Sequence, residues 1–195
     1  KYDLERYIIG KGTAPSLSFA AVLAQASRLY KKIDAEWASK ALVASKSAFN
    51  WALENKNIAY KNPEDVRTGE YGDDKFDDDF YWAASELYLA TKNEKYLETQ
   101  KKYNQEIIHK TADSWKDFVR NVAFHSLLEN KDELNKEFST NLKKGQLKLA
   151  NSILESIEKN PYRIGLESFV WGSNSDILNQ AMVLCNTHRI TGDEK

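Results

Sequence analysis

An all-α fold of roughly six or seven helices is what this sequence predicts, and three observations predict it. Glycine (8) and proline (3) are scarce across 195 residues, so few points oblige the chain to turn. The segments between those points repeat their apolar residues at helical spacing. No stretch alternates apolar and polar residues for long enough to make a useful strand.

The elements follow in order. SLSFAAVLAQASRLYKK (Ser16–Lys32) sets Leu17, Ala20, Ala21, Ala24 and Ala26 with Leu29 among small residues, and Pro15 suits a helix start. AEWASKALVASKSAFNWALEN (Ala35–Asn55) puts Trp37, Ala41, Ala44, Ala48 and Trp51 along one side. A polar stretch containing Pro63 leads to a helix over about Asp78–Thr91, then to another around NEKYLETQKKYNQEII. SWKDFVRNVAFHSLLEN and DELNKEFSTNLKKGQLKLANSILESIEK follow, and a last helix spans about Asn174–Ile190.

One pattern occurs twice. ATKNEKY (Ala90–Tyr96) and ITGDEK (Ile190–Lys195) share Thr, any residue, Asn or Asp, Glu, Lys, each after a helix rich in Ala and Leu. Gly192 suits a left-handed helix end, and Asn93 and Asp193 suit the N-cap of a following helix. The unit is an αα-hairpin used at least twice. Its second copy breaks off where the first continues, so a larger helical array is expected, with residues 1–195 forming one helical domain of it. FYWAASELYLA and ILNQAMVLCNTHRI are apolar on more than one side and belong to an inner layer. The segment NKEFSTNLKKGQLKLANSILESIEK is amphipathic and belongs outside. Inner and outer helices joined by tight turns make an α-solenoid or a closed toroid of hairpins.

Charge narrows the function. Lys and Arg total 28 against 29 Asp and Glu, without the basic excess of a general nucleic-acid binder. No apolar run approaches the ~20 residues that cross a bilayer. The single cysteine, Cys185, excludes an internal disulfide and a Cys-rich zinc site, and its apolar neighbours predict an inert buried thiol.

The candidate chemistry gathers at helix starts. TGEYGDDKFDDDFYWAASELYLAT crowds Glu70, Asp73, Asp74, Asp77, Asp78 and Asp79 just before an apolar helix. Satisfying the helix's orphan N–H groups accounts for two or three of these acids. Solvation or a cation must account for the rest, and an oxygen-rich cluster beside Gly69 and Gly72 is compatible with calcium. In FVWGSNSDILNQAM, Trp171 precedes Gly172 and a helix opened by Ser173, Asn174 and Ser175. It is either a core ring beside a Ser or Asn cap, or a platform for a ligand. Tyr71 holds the equivalent place before the acidic helix, and Trp115 sits beside Asp113 and Asp117 in TADSWKDFVRN. His109, His125 and His188 show no ligand spacing, so structural roles are expected of them.

At these residues the sequence resembles glycoside hydrolase family 9, the inverting cellulases and related β-glucanases. The similarity is carried by residues 68–97, by residues 169–195 and by the Phe-Ala-Ala…Ala-Gln…Arg helix of Ser16–Lys31. It implies an (α/α)6 toroid with an open cleft for a β-1,4-glucan at the amino ends of the inner helices, and an exported parent enzyme. It also implies sugar stacking by Trp171 and Tyr71. Trp115 joins them as a substrate-binding candidate, and Asp78 and Asp79 match acids that help hold a structural calcium. Against that calcium, SWKD puts Lys116 where the family has an aspartate. The family's Asp-Ala-Gly-Asp segment and its C-terminal catalytic Glu have no counterpart, so no catalytic residue is assigned. The chain alone is expected to be inactive.

These readings lead to one expectation and one alternative. The chain is part of a glycoside hydrolase, supplying cleft walls and sugar platforms, with its open edge covered by further polypeptide or by self-association. The alternative is a helical-repeat module that binds a protein or peptide, favoured if Tyr71, Trp115 and Trp171 are all buried while an apolar groove lies elsewhere.

Overall fold

In a computed structural model of the chain, residues 10–67, 69–70, 72–103 and 119–192 are described. Among them are seven α-helices and no strand: α1 (Thr13–Tyr30), α2 (Ala35–Glu54), α3 (Asp77–Thr91), α4 (Glu94–Lys102), α5 (Val119–Glu129), α6 (Lys136–Lys159) and α7 (Ser173–Thr191). A short 3-10 turn, Lys131–Glu133, lies between α5 and α6. No helix among the described residues is long and apolar enough to cross a membrane.

α1 begins three residues before Ser16, capped by the backbone of Gly12, and so places Pro15 inside the first turn. There its missing N–H removes no intrahelical bond. Leu17, Ala20, Ala21 and Ala24 are buried as expected, whereas Leu29 is exposed. The expected face of α2 is displaced by about one position. The buried stripe is Ala38, Ala41, Ser45, Phe49 and Ala52, and Trp37 is exposed. Two contacts select that face: the Ser45 hydroxyl donates to the Ala20 carbonyl at 2.6 Å, and the Phe49 ring meets Phe80 and Tyr96 edge-on. Small residues on both helices let the backbones approach closely enough for the hydroxyl to reach.

α3 is the centre of the molecule. Every residue from Asp78 to Leu89 is buried. α1 covers one flank, α5 the other, and α4 packs behind. α4, α2 and α6 form the outer layer against α3, α1 and α7 respectively, with α1, α3, α5 and α7 side by side as the inner layer. This is the expected two-layer array of αα-hairpins. The repeated turn has the same geometry in both places. Lys92 (φ 56°) and Gly192 (φ 73°) are both left-handed, and their N–H groups donate to Tyr88 and His188 carbonyls, each at 2.7 Å. Asn93 then caps α4 by accepting from the Lys95 N–H.

Cross-contacts fix the direction of the inner helices. Ser18 reaches Asp79 and, further along both chains, Arg28 pairs with Glu86. Tyr81 meets Phe124, and Lys92 pairs with Glu133. His125 meets Asn186 at 2.6 Å, and Glu129 pairs with Arg189 at 2.7 Å. Each pair of helices advances together, so all four inner helices are parallel and their amino ends share one face. The same register places the start of α3 level with Gln180 of α7. In that register Ser173–Gln180 extends seven residues, or ~10 Å at 1.5 Å per residue, past the level at which α3 begins.

His125 is structural, as expected for the described histidines. Burial holds its imidazole below the ordinary range, while the nearby Glu129 carboxylate pulls the other way. The neutral ring offers Nδ1 as acceptor to the Asn186 amide. The α5–α7 contact should therefore weaken as pH falls below about 6.5, where the unfolded imidazole gains a proton more readily than the folded one. An NMR titration should find His125 half-protonated below that pH, and a midpoint above it would contradict the assignment.

Candidate functional site

The shared amino face carries the acidic cluster and Trp171. α3 opens from Phe76, whose side chain caps nothing, with Asp77, Asp78 and Asp79 in its first turn. Asp77 stands in solvent, but Asp78 and Asp79 are each only 4% exposed. Helix-end satisfaction alone does not explain two buried neighbouring carboxyls. Burial, reinforced by the negative charges of Asp78 and Asp73, raises the pKa of Asp79 to about 8, and a hydrogen bond with Ser18 opposes part of that rise. Asp79 therefore keeps its proton at neutral pH unless a cation takes the proton's place. Ser18 escaped sequence reading, because a lone serine between Leu17 and Phe19 carries no signal of its own. A hollow of about 400 Å3, lined by Lys56, Asp74, Asp77, Asp78 and Arg120 among others, opens beside this cluster.

The residues present fit calcium in part. Asp78 and Asp79 supply two carboxylates, whereas the ion takes roughly 6–8 oxygens. Among the described residues, no three side chains of ligating type converge. Lys116 lies outside the described residues.

Trp171 stands 95% exposed, so nothing among the described residues covers this ring. Phe169, Val170 and Tyr162 in the same segment are exposed as well. The turn that presents Trp171 has Gly172 in the left-handed region (φ 85°), where a side chain is strained. Ser173, Asn174 and Ser175 do not cap α7 by side chain. Instead the Ser175 hydroxyl donates to the Gly172 carbonyl at 2.7 Å, binding the turn to the helix it precedes. Trp171 precedes the amino end of α7, on the same face of the inner layer as the start of α3. Tyr71 and Trp115, the other two candidate platforms, lie outside the described residues, as does His109.

α7 also corrects the expectation for Cys185, which is exposed. Its neighbours are apolar in sequence, but only Gln180 and Val183 of α7 are buried. Leu178 and Met182 on α7, and Phe19, Val22 and Leu29 on α1, are likewise exposed. The two ends of the inner layer are thus its bare edges.

The family model described as "Glycosyl hydrolase family 9" matches residues 2–195. Among curated proteins, the chain is similar to a xyloglucan-specific endo-β-1,4-glucanase of Bacteroides ovatus, at 32% identity over 97% of this chain and 35% of that protein. It is also similar to a cellulose 1,4-β-cellobiosidase of Acetivibrio thermocellus, at 32% identity over 97% of this chain and 24% of that protein. Among solved structures, one described as Bacteroides ovatus GH9 superposes with a TM-score of 0.85 at 32% identity, covering 98% of this chain and 38% of that one. The chain spans about a third or less of the length of the two curated relatives it matches here.

Proposed function

The chain belongs to glycosyl hydrolase family 9, and from that premise we propose that it is the cleft-wall part of an enzyme that hydrolyses β-1,4-glucan with inversion at the anomeric carbon. Its all-helical array is part of an (α/α)6 toroid built of αα-hairpins. In the inverting reaction one carboxylate takes a proton from the attacking water. A carboxylic acid on the opposite face protonates the departing glycosidic oxygen, and the two stand about 6.5–9.5 Å apart. No residue of this chain is assigned to either role. Its share is to hold the sugar.

The observation that carries this share is the position of Trp171, almost fully exposed at the top of α7 on the face where the inner helices begin. An aromatic face offers an apolar plane to the C–H side of a pyranose ring. Burial of this ring would have favoured a helical-repeat module for a protein partner, and Trp171 is not buried among the described residues. The 195-residue chain is expected to bind cellohexaose and to release no reducing sugar from soluble β-glucan. Trp171→Ala should weaken that binding by about tenfold, equivalent to roughly 1.4 kcal/mol. Sustained turnover by the parent chain, or unchanged affinity in the variant, would refute the proposed division of labour.

Calcium belongs to the same proposal. Asp78 and Asp79 would be its acidic ligands, and a divalent cation there would relieve the crowding of buried carboxyls. Calcium in excess over chelator should raise the unfolding temperature of the parent chain and leave that of Asp79→Asn nearly unmoved. Equal responses in both proteins would remove Asp79 from the site.

The bare edges at α1 and α7 need covering by further polypeptide or by another copy. Two copies joined edge to edge would bring eight inner helices, too many for a ring of six hairpins, so further polypeptide is the cover we favour.

A further inference from the structure

The segment between α6 and α7 is long and mostly exposed, yet it presents the ring on which the proposed sugar contact depends. Asn160 ends α6 and turns the chain, accepting from the Tyr162 N–H through its side chain and from the Arg163 N–H through its carbonyl. From Pro161 to Trp171, only Ile164, Gly165 and Leu166 are part-buried, and they lie in the middle. There the side-chain amide of Gln180 donates to the Gly165 carbonyl at 3.2 Å. Gln180 is 8% exposed at the end of a stretch of α7 that is otherwise exposed or only part-buried, and Gly165 lies against its side-chain amide.

The fit at this contact leaves no room for a side chain on residue 165. An ideal Cβ there would stand 2.1 Å from Gln180 Oε1, well inside contact distance. The Gln180 amide is the free end of a flexible side chain and can swing aside. Doing so breaks its bond to the Gly165 carbonyl. A methyl group on residue 165 therefore releases the segment without disturbing the helix beneath.

Gln180 also sits level with the start of α3 in the register of the inner helices. Its bond fixes the segment at that level, and the second fixed point is the Gly172–Ser175 turn at the amino end of α7. Residues 166–171 span the interval between them.

We propose that Gly165 and Gln180 form a clasp that sets the height and direction of the Phe169–Trp171 ledge, making both of them positioning residues for glucan binding. This rests on the reading of Trp171 as a sugar platform. The clasp acts through Trp171 and touches no sugar itself.

The test uses the 195-residue chain, cellohexaose titrated calorimetrically, and amide hydrogen exchange followed in residues 166–171. Gln180→Met keeps the length of the side chain and removes the donor, while Gly165→Ala displaces the donor. Each should weaken cellohexaose binding about five- to tenfold and speed exchange in the segment, while the chain stays folded and unfolds in one cooperative transition only slightly below the parent. In a Trp171→Ala background neither should weaken binding further, since contacts that act through one group are not additive. If both variants bind and exchange like the parent while Trp171→Ala loses affinity, the clasp is refuted and the stacking role of Trp171 stands. Additive losses would also refute the clasp. If the parent does not bind, or Trp171→Ala binds as tightly as the parent, the platform reading fails and the clasp fails with it.

Discussion

Raising the pH from 4 to 8 in the presence of chelator should cost the chain stability through Asp79, the reverse of the usual behaviour of a carboxylate. Most aspartates in folded proteins are stabilised as anions, so their proteins gain stability as pH rises through the acid range. Asp79 is buried beside Asp78, feels Asp73, and titrates at about 8 in place of its ordinary 3.8. Between those values the folded chain holds a proton that the unfolded chain has released. Stability therefore falls as pH climbs, beginning near the unfolded pKa and reaching its full loss above the folded one. A shift of this size in a mostly buried group is worth roughly 3–5 kcal/mol, shared with its acidic neighbours. Other carboxylates act with the opposite sign. Glu133, for example, is held below its usual range by a hydrogen bond and the charge of Lys92. The decisive measurement is thus the difference in unfolding free energy between the parent and Asp79→Asn at each pH. It should favour the asparagine variant increasingly from pH 4 to 8. A flat difference would show that Asp79 is an ordinary anion.

Glu86→Ala should be the most damaging single change on the inner layer that leaves its rings in place. Glu86 is 0% exposed in the middle of α3 and pairs with Arg28 of α1, which is itself mostly covered. One carboxylate oxygen, Oε1, and the guanidinium Nε are buried without a hydrogen-bond partner. The pair is therefore incompletely satisfied. Removing only the acid leaves a largely buried guanidinium with no counter-charge, a loss of about 3–5 kcal/mol. Glu86→Gln keeps the shape and one acceptor and should cost less, about 1–3 kcal/mol. Urea unfolding of the two variants beside Arg28→Met/Glu86→Leu gives the check. The apolar double variant should recover most of the loss. If Glu86→Ala unfolds like the parent, the α1–α3 joint does not depend on this pair.

How much of this was legible in the sequence depended on what each signal reports. Helix positions came through well because scarce glycine and proline leave helical periodicity undisturbed, and the repeated Thr-x-(Asn/Asp)-Glu-Lys turn gave the hairpin directly. The face of α2 was misread because alanines occur on several sides of that helix. The weight then fell on Trp37 and Trp51, whereas packing is settled by the Phe49 ring and the Ser45 hydroxyl, contacts with α1, α3 and α4. Cys185 was misread for a related reason, since apolar neighbours in sequence cover nothing at the bare edge of an array. At the site, Trp171 and the acids were visible as residue types, but the burial of Asp78 and Asp79 and the height of α7 were not. Both follow from the register between helices, which no local pattern encodes. Gly165 and Gln180 gave no signal at all, being fifteen residues apart and ordinary in composition.

The parallel course of the inner helices has an electrostatic consequence. Peptide dipoles aligned along each helix leave about half a positive charge at its amino end. Several such ends side by side add a positive field to one face of the molecule, beyond what its basic side chains supply. The crowd of aspartates from 73 to 79 opposes that field, so the charges that repel one another locally are drawn there by the architecture as a whole. The face as a whole therefore carries less net charge than its carboxylates alone would give it. It suits a long uncharged chain of sugars, whose hold on the protein comes from ring faces and hydroxyls.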